Sequence, residues 1–334
     1  MATLHKYYTE FNTKIKLNND KKESLEKSIK SIKDKIVKYF EEEKTEELQP
    51  TFSGQGSFYM NTTVNPIPVF DKEKDKNLLK YDLDYGVYFS EKENEDNKKK
   101  IDTWHSWVYN AVDDHTNTAS KSKNTCVRVN FADGHHIDLP IYYVKDDITK
   151  LGHKSKDWIE SKPTEFTEWF NDEVKKNQQL RKIVRFLKAW KNFRETKNNN
   201  LKFPSGFALT ILATNNYTSD DNHDIAFLET VKNIQKTLNN NFECKRPTTP
   251  KNEDIFEDFS KTRKNDFISA LDSLILDLEK AQEEKNYKKA TEYLRKYFGE
   301  RFPLGKDKDE ESTNSKLSSL LTASAVKPKP YAKW

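Results

Sequence analysis

Cysteine is scarce in this chain of 334 residues, which contains only Cys126 and Cys244. Two cysteines cannot build a disulfide framework, and neither lies in a Cys/His cluster at zinc spacing. Long apolar runs are missing too, since no stretch approaches the roughly 20 apolar residues of a membrane-spanning helix. Residues 1–8 also lack the apolar region of a signal peptide. We therefore expect a cytoplasmic protein that works in a reducing compartment and does not enter a membrane.

An excess of charge of one sign is missing as well. Lysine and arginine number 58, aspartate and glutamate number 54, and the formal net charge is only +4 although 34% of the residues are charged. This balance indicates a surface of interspersed charges without the long basic stripe of a nucleic-acid-binding protein. We therefore expect no stable complex with nucleic acid. The length allows a sizeable core in one large domain or in two packed domains.

What the chain does contain is an Asp-x-Asp pair inside an apolar strand. Side chains alternate between the two faces of a strand, so in residues 81–88 Asp82 and Asp84 project to the same side. One interpretation is that both acids are solvated on an outer face. The tyrosine, leucine, valine and phenylalanine around them instead indicate a central strand, where unpaired carboxylates are costly. The second interpretation is that the two acids hold a cation.

A third carboxylate comes from a predicted hairpin. Residues 126–131 and 136–144 are strand-like, and the Asp-Gly between them is typical of a hairpin turn. Placing the apolar residues of both strands on one face requires a three-residue loop that ends at Gly134. That register sets Arg128 opposite Asp138 on the other face, where the cation would keep the carboxyl ionised.

The third feature is a glycine-serine turn ahead of the Asp pair. Gln55, Gly56 and Ser57 follow a short strand-like segment. Small residues let backbone amides approach an anion closely. A glycine-serine pair alone is weak evidence, but in this position it predicts a cradle for nucleotide phosphates.

The turn, the Asp pair and the later strand Asp together resemble the polymerase-beta type of nucleotidyltransferase. Residues 55–58, 61–66, 81–89 and 135–142 more closely resemble the bacterial cGAS/DncV-like nucleotidyltransferases of anti-phage CBASS systems. The likeness runs from the first long helix to about Pro303. It implies an α+β fold in which a mixed nucleotidyltransferase sheet with a long spine helix packs against a C-terminal helical bundle of the OAS/cGAS type.

Amphipathic helices are predicted where apolar residues recur at helical spacing. They span residues 18–43, 101–114, 179–195, 224–238, 264–280 and 287–298. Residues 71–80 are predicted to be a surface insertion, and the polar residues 145–161 a connection. We expect a nucleotidyltransferase core with its spine helix at 1–160, a helical domain at 161–303, and a flexible tail at 304–334 whose composition cannot support a core.

The resemblance also implies roles for single residues. The catalytic and metal-binding residues would be Asp82, Asp84 and Asp138, holding two Mg²⁺ ions for which Mn²⁺ could substitute. The nucleotide-binding residues would be Gln55, Gly56, Ser57, Arg128, Lys188, Ser205 and Asp254.

Three of these residues have a plainer interpretation. Lys188 shares a helical face with Arg181 and Arg185, and a row of cations is usually solvated. Ser205 is well placed to cap a buried helix, which alone would explain it. Asp254 lies in a proline-punctuated loop, where an acid is often only a helix cap.

We expect a cyclic oligonucleotide synthase that joins NTPs into a cyclic di- or trinucleotide messenger, such as cyclic GMP-AMP, with release of pyrophosphate. One alternative is a template-independent RNA or protein nucleotidyltransferase, and another is a catalytically silent nucleotide-sensing scaffold. The resemblance implies a CBASS effector that responds to the product. Some enzymes of that family are joined through their C-terminus to a target by a ubiquitin-ligase-like enzyme, which makes the segment ending at Trp334 a candidate handle.

Overall fold

The computed structural model describes residues 3–72, 75–92, 96–198 and 200–308, and it confirms an α+β fold. The helices are α1 His5–Ile15, α2 Asn19–Glu43, α3 Gly56–Tyr59, α4 Ile101–Val112, α5 Pro163–Lys176, α6 Gln179–Lys197, α7 Gly206–Asn215, α8 His223–Asn240, α9 Lys261–Glu283 and α10 Tyr287–Phe298. The strands are β1 Pro50–Gln55, β2 Val69–Asp71, β3 Lys76–Leu78, β4 Asp82–Ser90, β5 Lys121–Ser122, β6 Cys126–Asn130, β7 His136–Lys145, β8 Ile148–His153 and β9 Asp157–Glu160. Within the described residues, no helix combines the length and the apolar composition that crossing a bilayer requires.

The sheet places the predicted acids side by side. Its strand order is β1-β4-β7-β6-β5, with β8 paired to β7 and β9 paired to β8. The central strands β4 and β7 run parallel, and their register sets Asp84 beside Asp138. Both strands are buried for most of their length, as the apolar run around the Asp pair predicts.

The hairpin register predicted from the apolar pattern is confirmed. β6 and β7 pair antiparallel with Arg128 opposite Asp138. The Phe131 amide donates to the carbonyl oxygen of His135 at 3.0 Å, so residues 132–134 form the loop. Gly134 has a φ of 103°, a conformation that residues with a Cβ rarely adopt.

The long helix α2 packs along the sheet, and its predicted position is confirmed. The Asn18 side chain accepts a hydrogen bond from the Lys21 amide at 3.0 Å and so caps the first turn. One apolar stripe faces the core, and its residues are Leu25, Ile29, Ile32, Ile36 and Phe40. This stripe forms one hydrophobic cluster with β4, β6, β7 and α4.

A second hydrophobic cluster fills the C-terminal half of the molecule. It unites the buried faces of α5 to α10, and α1 joins it through Tyr8 and Phe11. Phe11 stacks on Phe186 of α6 with ring centroids 5.5 Å apart. The N-terminal helix therefore packs with the helical part, and the division of domains at residue 160 stays a prediction.

The prediction of a connection at residues 145–161 is wrong, because this segment extends the sheet through β8 and β9. Leu151 pairs with Tyr142, and Trp158 packs its ring edge-on against Trp104 at 5.5 Å. The segment has few apolar residues, so its alternation is weak, and it is held by the backbone ladders to β7 and within β8–β9 together with the packing of Trp158.

The predicted insertion at residues 71–80 carries one arm of a small hairpin. β2 pairs antiparallel with β3, while residues 73 and 74 lie outside the described part of the chain. Phe70 is 56% exposed, whereas Leu78 is buried. The Leu79 amide donates to the carbonyl oxygen of Asp133 at 3.0 Å, which ties the hairpin to the β6–β7 loop.

The first residues of the predicted tail lie against α10. The Gly305 amide donates to Thr291 Oγ1 at 2.7 Å, and the Tyr287 amide donates to the carbonyl oxygen of Lys308 at 3.2 Å. The remaining tail, residues 309–334, lies outside the described residues, so the prediction of flexibility is untested there.

Candidate active site

A cleft of about 630 Å³ opens where the sheet meets the helical part. Its wall from the sheet side includes Gln55, Gly56, Ser57, Thr62, Thr63, Lys80, Tyr81, Asp82, Asp84 and Tyr142. Its wall from the helical side includes Lys162, Phe166, Lys188, Lys191, Gly206, Phe207, Arg246, Thr248 and Thr249. The fold therefore brings the glycine-serine turn, the Asp pair and Lys188 to one cavity, although they are far apart in the sequence.

The three predicted carboxylates differ in burial. Asp82 is exposed at the start of β4, Asp84 is half-buried, and Asp138 is 9% exposed. Burial raises the pKa of Asp84 to about 7, and the negative charges of Asp82 and Asp138 add to the rise. A bound cation would offset both causes, because its positive charge stabilises the ionised carboxylate.

Arg128 forms a two-point ion pair with Asp138. Its Nε donates to Oδ1 and its Nη2 donates to Oδ2, both at 2.7 Å. The hydrogen bond with the carboxylate raises the pKa of Arg128, and such pairs are among the strongest in proteins. The guanidinium therefore faces Asp138, and contact of Arg128 with a nucleotide stays a prediction.

The three acids fit a divalent cation in chemistry and register. Carboxylate oxygens are the ligands that Mg²⁺ and Mn²⁺ prefer. As the side chains stand, no group of three His, Cys, Asp or Glu residues in the described chain is arranged to hold a metal ion, and both oxygens of Asp138 face Arg128. Each of those oxygens keeps a second lone pair, so the ion pair leaves Asp138 able to bind a cation.

The glycine-serine turn lies directly against Asp84. Gly56 has a φ of 75°, and a Cβ at this position would stand 2.7 Å from Asp84 Oδ2. Only glycine therefore fits between the turn and the carboxylate. The Ser57 hydroxyl lies 2.9 Å from Thr63 Oγ1, so a buried threonine orients the serine beside the acids.

Gln55 is placed differently from its neighbours in the turn. Gln55 is only 6% exposed, and its side-chain amide forms hydrogen bonds with the hydroxyl groups of Tyr88 and Tyr142. The side chain therefore points to two tyrosines of the sheet, and its contact with a nucleotide stays a prediction.

Lys188 reaches the cleft from α6, as its predicted role requires. Its Nζ donates to Thr62 Oγ1 at 2.9 Å. Burial lowers the pKa of Lys188 to about 8, with Asp82 acting in the opposite direction and Arg185 adding to the fall. A partly buried ammonium of this kind gains strongly from a phosphate anion.

Arg185, which shares a helical face with Lys188, is not solvated. Arg185 is 4% exposed, and burial lowers its pKa to about 10. It donates to the carbonyl oxygen of Asn61 at 2.8 Å and to Asn12 Oδ1 at 2.9 Å. The interpretation of this row as a solvated face is therefore wrong for Arg185.

Three arginines together hold the loop of residues 60–65, which borders the cleft. Beside Arg185, Arg181 donates to the carbonyl oxygen of Met60 at 3.0 Å, and Arg301 donates to that of Asn65 at 3.3 Å. The sequence does not predict these arginines as part of the site. They bind backbone carbonyl groups, and because every residue has one, such partners leave no pattern in the sequence. The loop itself, with Thr62 and Thr63, appears in the sequence only as part of the family resemblance.

Ser205 caps α7. Its Oγ accepts a hydrogen bond from the Ala208 amide at 3.1 Å, as predicted from its position. The next residue, Gly206, lines the cleft beside Lys188. The exposed Ser205 thus stands at the edge of the cleft, and its contact with a phosphate stays a prediction.

Asp254 is turned toward its own loop. Its Oδ1 accepts hydrogen bonds from the amides of Cys244 at 2.8 Å and Phe256 at 3.0 Å. The carboxylate therefore shapes the loop of residues 244–256, which presents Arg246 and Thr249 to the cleft. A direct contact of Asp254 with a nucleotide stays a prediction.

An aromatic wall closes the helical side of the cleft, and sequence reasoning missed it. Phe166 and Phe207 pack with centroids 4.3 Å apart, and the Arg246 guanidinium lies 5.0 Å from the Phe207 centroid. Thr249 Oγ1 donates to Glu165 Oε2 at 2.8 Å and joins the loop to α5. Aromatic and guanidinium faces are surfaces on which nucleobases stack.

Comparison with known families explains this combination. The nucleotidyltransferase domain of DncV-like cyclic GMP-AMP synthases matches residues 50–142, and the C-terminal domain of cyclic GMP-AMP synthase matches residues 177–307. The chain belongs to the DncV-like nucleotidyltransferase family. Membership implies dependence on a divalent metal ion.

Two relatives of this DncV-like chain are named cyclic GMP-AMP synthase. The protein from Escherichia albertii is 27% identical over 259 residues, which cover 74% of this chain and 56% of that protein. The protein from Vibrio cholerae is 26% identical over 344 residues, which cover 83% of this chain and 71% of that protein. The chain thus spans little more than half the length of the first relative.

A solved structure confirms the DncV-like fold. Vibrio cholerae DncV in complex with nonhydrolyzable GTP aligns with a TM-score of 0.76 at 21% sequence identity. The alignment covers 90% of this chain and 97% of that chain. The sheet and the helical part therefore have the arrangement that is found in that synthase.

Proposed function

We propose that this protein is a cyclic oligonucleotide synthase that joins NTPs into a cyclic dinucleotide such as cyclic GMP-AMP and releases pyrophosphate. The observation that carries the proposal is the meeting of Asp82 and Asp84, the Gly56–Ser57 turn and Lys188 at one cleft. The names of the relatives agree with this activity.

In the proposed reaction the aspartates of the cleft bind the metal ions, and other side chains bind the triphosphate of the substrate. Asp82, Asp84 and Asp138 would hold two Mg²⁺ ions, which supply charge neutralisation and a more acidic attacking hydroxyl. Ser57 and Lys188 would bind the triphosphate and align it for displacement. Alignment of this kind can lower a barrier by several kcal/mol.

Free nucleotides fit the cleft better than a long polymer does. Its volume of about 630 Å³ lies within the range of small-molecule sites. The net charge of +4 offers little general attraction for RNA. These features favour the synthase over a template-independent RNA nucleotidyltransferase. Aspartate at all three metal positions argues against a silent nucleotide-sensing scaffold.

Product analysis tests the proposal and separates it from its alternatives. The purified protein is incubated with all four labelled NTPs and Mg²⁺, the mixture is digested with phosphatase, and the surviving species are identified. A phosphatase-resistant cyclic product is the expected result. Label that stays in an elongated RNA or on protein would establish the RNA or protein nucleotidyltransferase, and complete digestion of all labelled NTPs would establish the silent scaffold.

Two further parts of the proposal concern partners. A separate effector protein would recognise the cyclic product in the cytoplasm. The segment of residues 309–334, which lies outside the described structure, would be the site at which a ubiquitin-ligase-like enzyme acts. Both rest on the family resemblance, and co-purification of the full-length chain with such an enzyme would test the second.

A further inference from the structure

A buried hydrogen-bonded triad adjoins the glycine-serine turn, and two of its members, Gln55 and Tyr142, also line the cleft. The Tyr88 hydroxyl donates to Gln55 Oε1 at 3.1 Å, and Gln55 Nε2 donates to the Tyr142 oxygen at 2.9 Å. The two tyrosine rings stack with centroids 4.6 Å apart and an interplanar angle of 14°. Each of the three residues is at most 9% exposed. We name Tyr88, Gln55 and Tyr142 the amide clamp.

The amide clamp joins the turn to the strands that carry the acids. Gln55 is the last residue of β1, and it pairs with Asp84 in the β1–β4 register. Tyr88 and Tyr142 are themselves a cross-strand pair of β4 and β7, in the same register that sets Asp84 beside Asp138. The side chain of Gln55 is therefore fixed to the same two strands that position the carboxylates.

The turn needs such a fixed position because it lies in close contact with Asp84. Gly56 follows Gln55 directly, and its Cα lies so close to Asp84 that a Cβ would come within 2.7 Å of Oδ2. A small rotation of the turn would move Ser57 and the neighbouring amides relative to the acids. Burial raises the pKa of both tyrosines, so both hydroxyl groups stay protonated and available to the amide.

We propose that Gln55 is a positioning residue, which acts through Tyr88 and Tyr142 to hold the phosphate-binding turn in register with the catalytic aspartates. The proposal rests on the proposed function of the cleft. It differs from the sequence-based expectation, in which Gln55 contacts the nucleotide. Positioning should appear in kcat, since misplacement of a reacting group by about 1 Å can cost up to about a hundredfold in rate.

Tyr88→Phe is the decisive variant, with Gln55→Met and the double variant beside it. Tyr88 is not among the described residues that line the cleft, so it can influence the reaction only through its neighbours. Initial rates of pyrophosphate release give kcat and KM, and thermal unfolding gives Tm. Amide hydrogen exchange of the peptide that covers residues 53–60 reports on the turn itself, whether or not the protein turns over NTPs.

We expect each single variant to lower kcat about tenfold with KM within about twofold, and the double variant to be no worse than Gln55→Met, because coupled residues are not additive. Exchange in residues 53–60 should quicken in both single variants. Wild-type rates and exchange in Tyr88→Phe, together with a raised KM in Gln55→Met, would overturn the proposal and restore direct contact. A loss of kcat that disappears at lower temperature would also overturn the proposal, because it would show that the variant is only less stable.

Failure of the proposed function gives a different result. If the wild-type protein releases no pyrophosphate from any NTP, the function is wrong and the kinetic comparison falls away. Amide hydrogen exchange then tests by itself whether the amide clamp holds the turn. Faster exchange of residues 53–60 in Tyr88→Phe supports this role, and unchanged exchange overturns it.

Discussion

Arg128 and Asp138 face each other across β6 and β7 and share two parallel hydrogen bonds of 2.7 Å. The guanidinium thereby fixes the orientation of the one buried carboxylate among the three acids. It also supplies positive charge, which lowers the pKa of the neighbouring Asp84 against the effect of burial. Arg128 is therefore linked to the proposed catalytic acids, although it is not among the described residues that line the cleft.

Replacing Arg128 with Leu should lower kcat by about tenfold or more, because Asp138 loses both its orientation and its counter-charge. Arg128 lowers the pKa of the neighbouring Asp84, so without the cation that pKa should rise further and the acid limb of the pH–kcat profile should move to higher pH. Arg128→Lys keeps the charge but loses the two-point geometry and should be intermediate. An unchanged pH profile in Arg128→Leu would contradict this account.

Asp84→Asn should raise the Tm of the metal-free protein above pH 7 and abolish turnover. The pKa of Asp84 rises from 3.8 to about 7 on folding. A carboxyl with a raised pKa favours the folded state at low pH, and that contribution is lost as pH rises through the folded value. Metal-free wild-type protein should therefore lose Tm between about pH 4 and pH 8, whereas Asp84→Asn should lose less. Equal slopes of Tm against pH in the two proteins would show that folding does not raise the pKa of Asp84.

Arg185→Met should destabilise the fold by about 1–3 kcal/mol, the usual cost of leaving buried acceptors without a partner. It should also raise KM for NTPs, because the loop that carries Thr62, the partner of Lys188, loses its support. Arg181→Met is the matched control, since Arg181 is only half-buried and holds the same loop. If Arg181→Met lowers the free energy of unfolding in urea more than Arg185→Met does, Arg181 rather than Arg185 is the main support of the loop.

A pair of variants separates the two roles of Asp254. Its Oδ1 accepts both loop hydrogen bonds, and asparagine retains that oxygen. If the role is local, Asp254→Asn should behave like wild type, while Asp254→Ala should lower Tm and raise KM. A rise of KM in Asp254→Asn at unchanged Tm would instead support contact of the charged group with a nucleotide.

Truncation tests where the fold ends. Deleting residues 309–334 should leave Tm and NTP turnover near wild type, since their composition supports no packed core. Deleting residues 304–334 also removes the bonds of Gly305 to Thr291 and of Lys308 to Tyr287, so Tm should fall. Loss of turnover in the shorter deletion would show that the terminal segment contributes to the cleft.

The sequence predicts well the parts of the fold that rest on regular periodicity. The stripe of α2 and the hairpin register of Arg128 and Asp138 follow from spacing alone, because one face of each element must be buried. The strands β8 and β9 cannot be predicted in this way, since their few apolar residues alternate too weakly to indicate a strand. The partner of α1 cannot be predicted either, because an apolar stripe does not say which domain it joins.

The site shows the same division. Side chains whose chemistry is rare in a core, such as Asp82 and Asp84, stand out in the sequence. Residues that act on backbone groups or on other side chains, such as Arg301 and Tyr88, do not, since their partners are set by tertiary contacts. Lys188 required the family resemblance, because helical spacing alone could not separate it from its arginine neighbours.

The central claim is that Asp82 and Asp84 carry out phosphodiester synthesis at this cleft. The most direct measurement compares the wild-type protein with Asp82→Ala and Asp84→Ala, at equal folded concentration checked by circular dichroism, in pyrophosphate release from mixed NTPs and Mg²⁺. The account predicts stoichiometric pyrophosphate and a phosphatase-resistant cyclic product from the wild type, and neither from the folded variants. A variant that keeps near-wild-type release of pyrophosphate would contradict it.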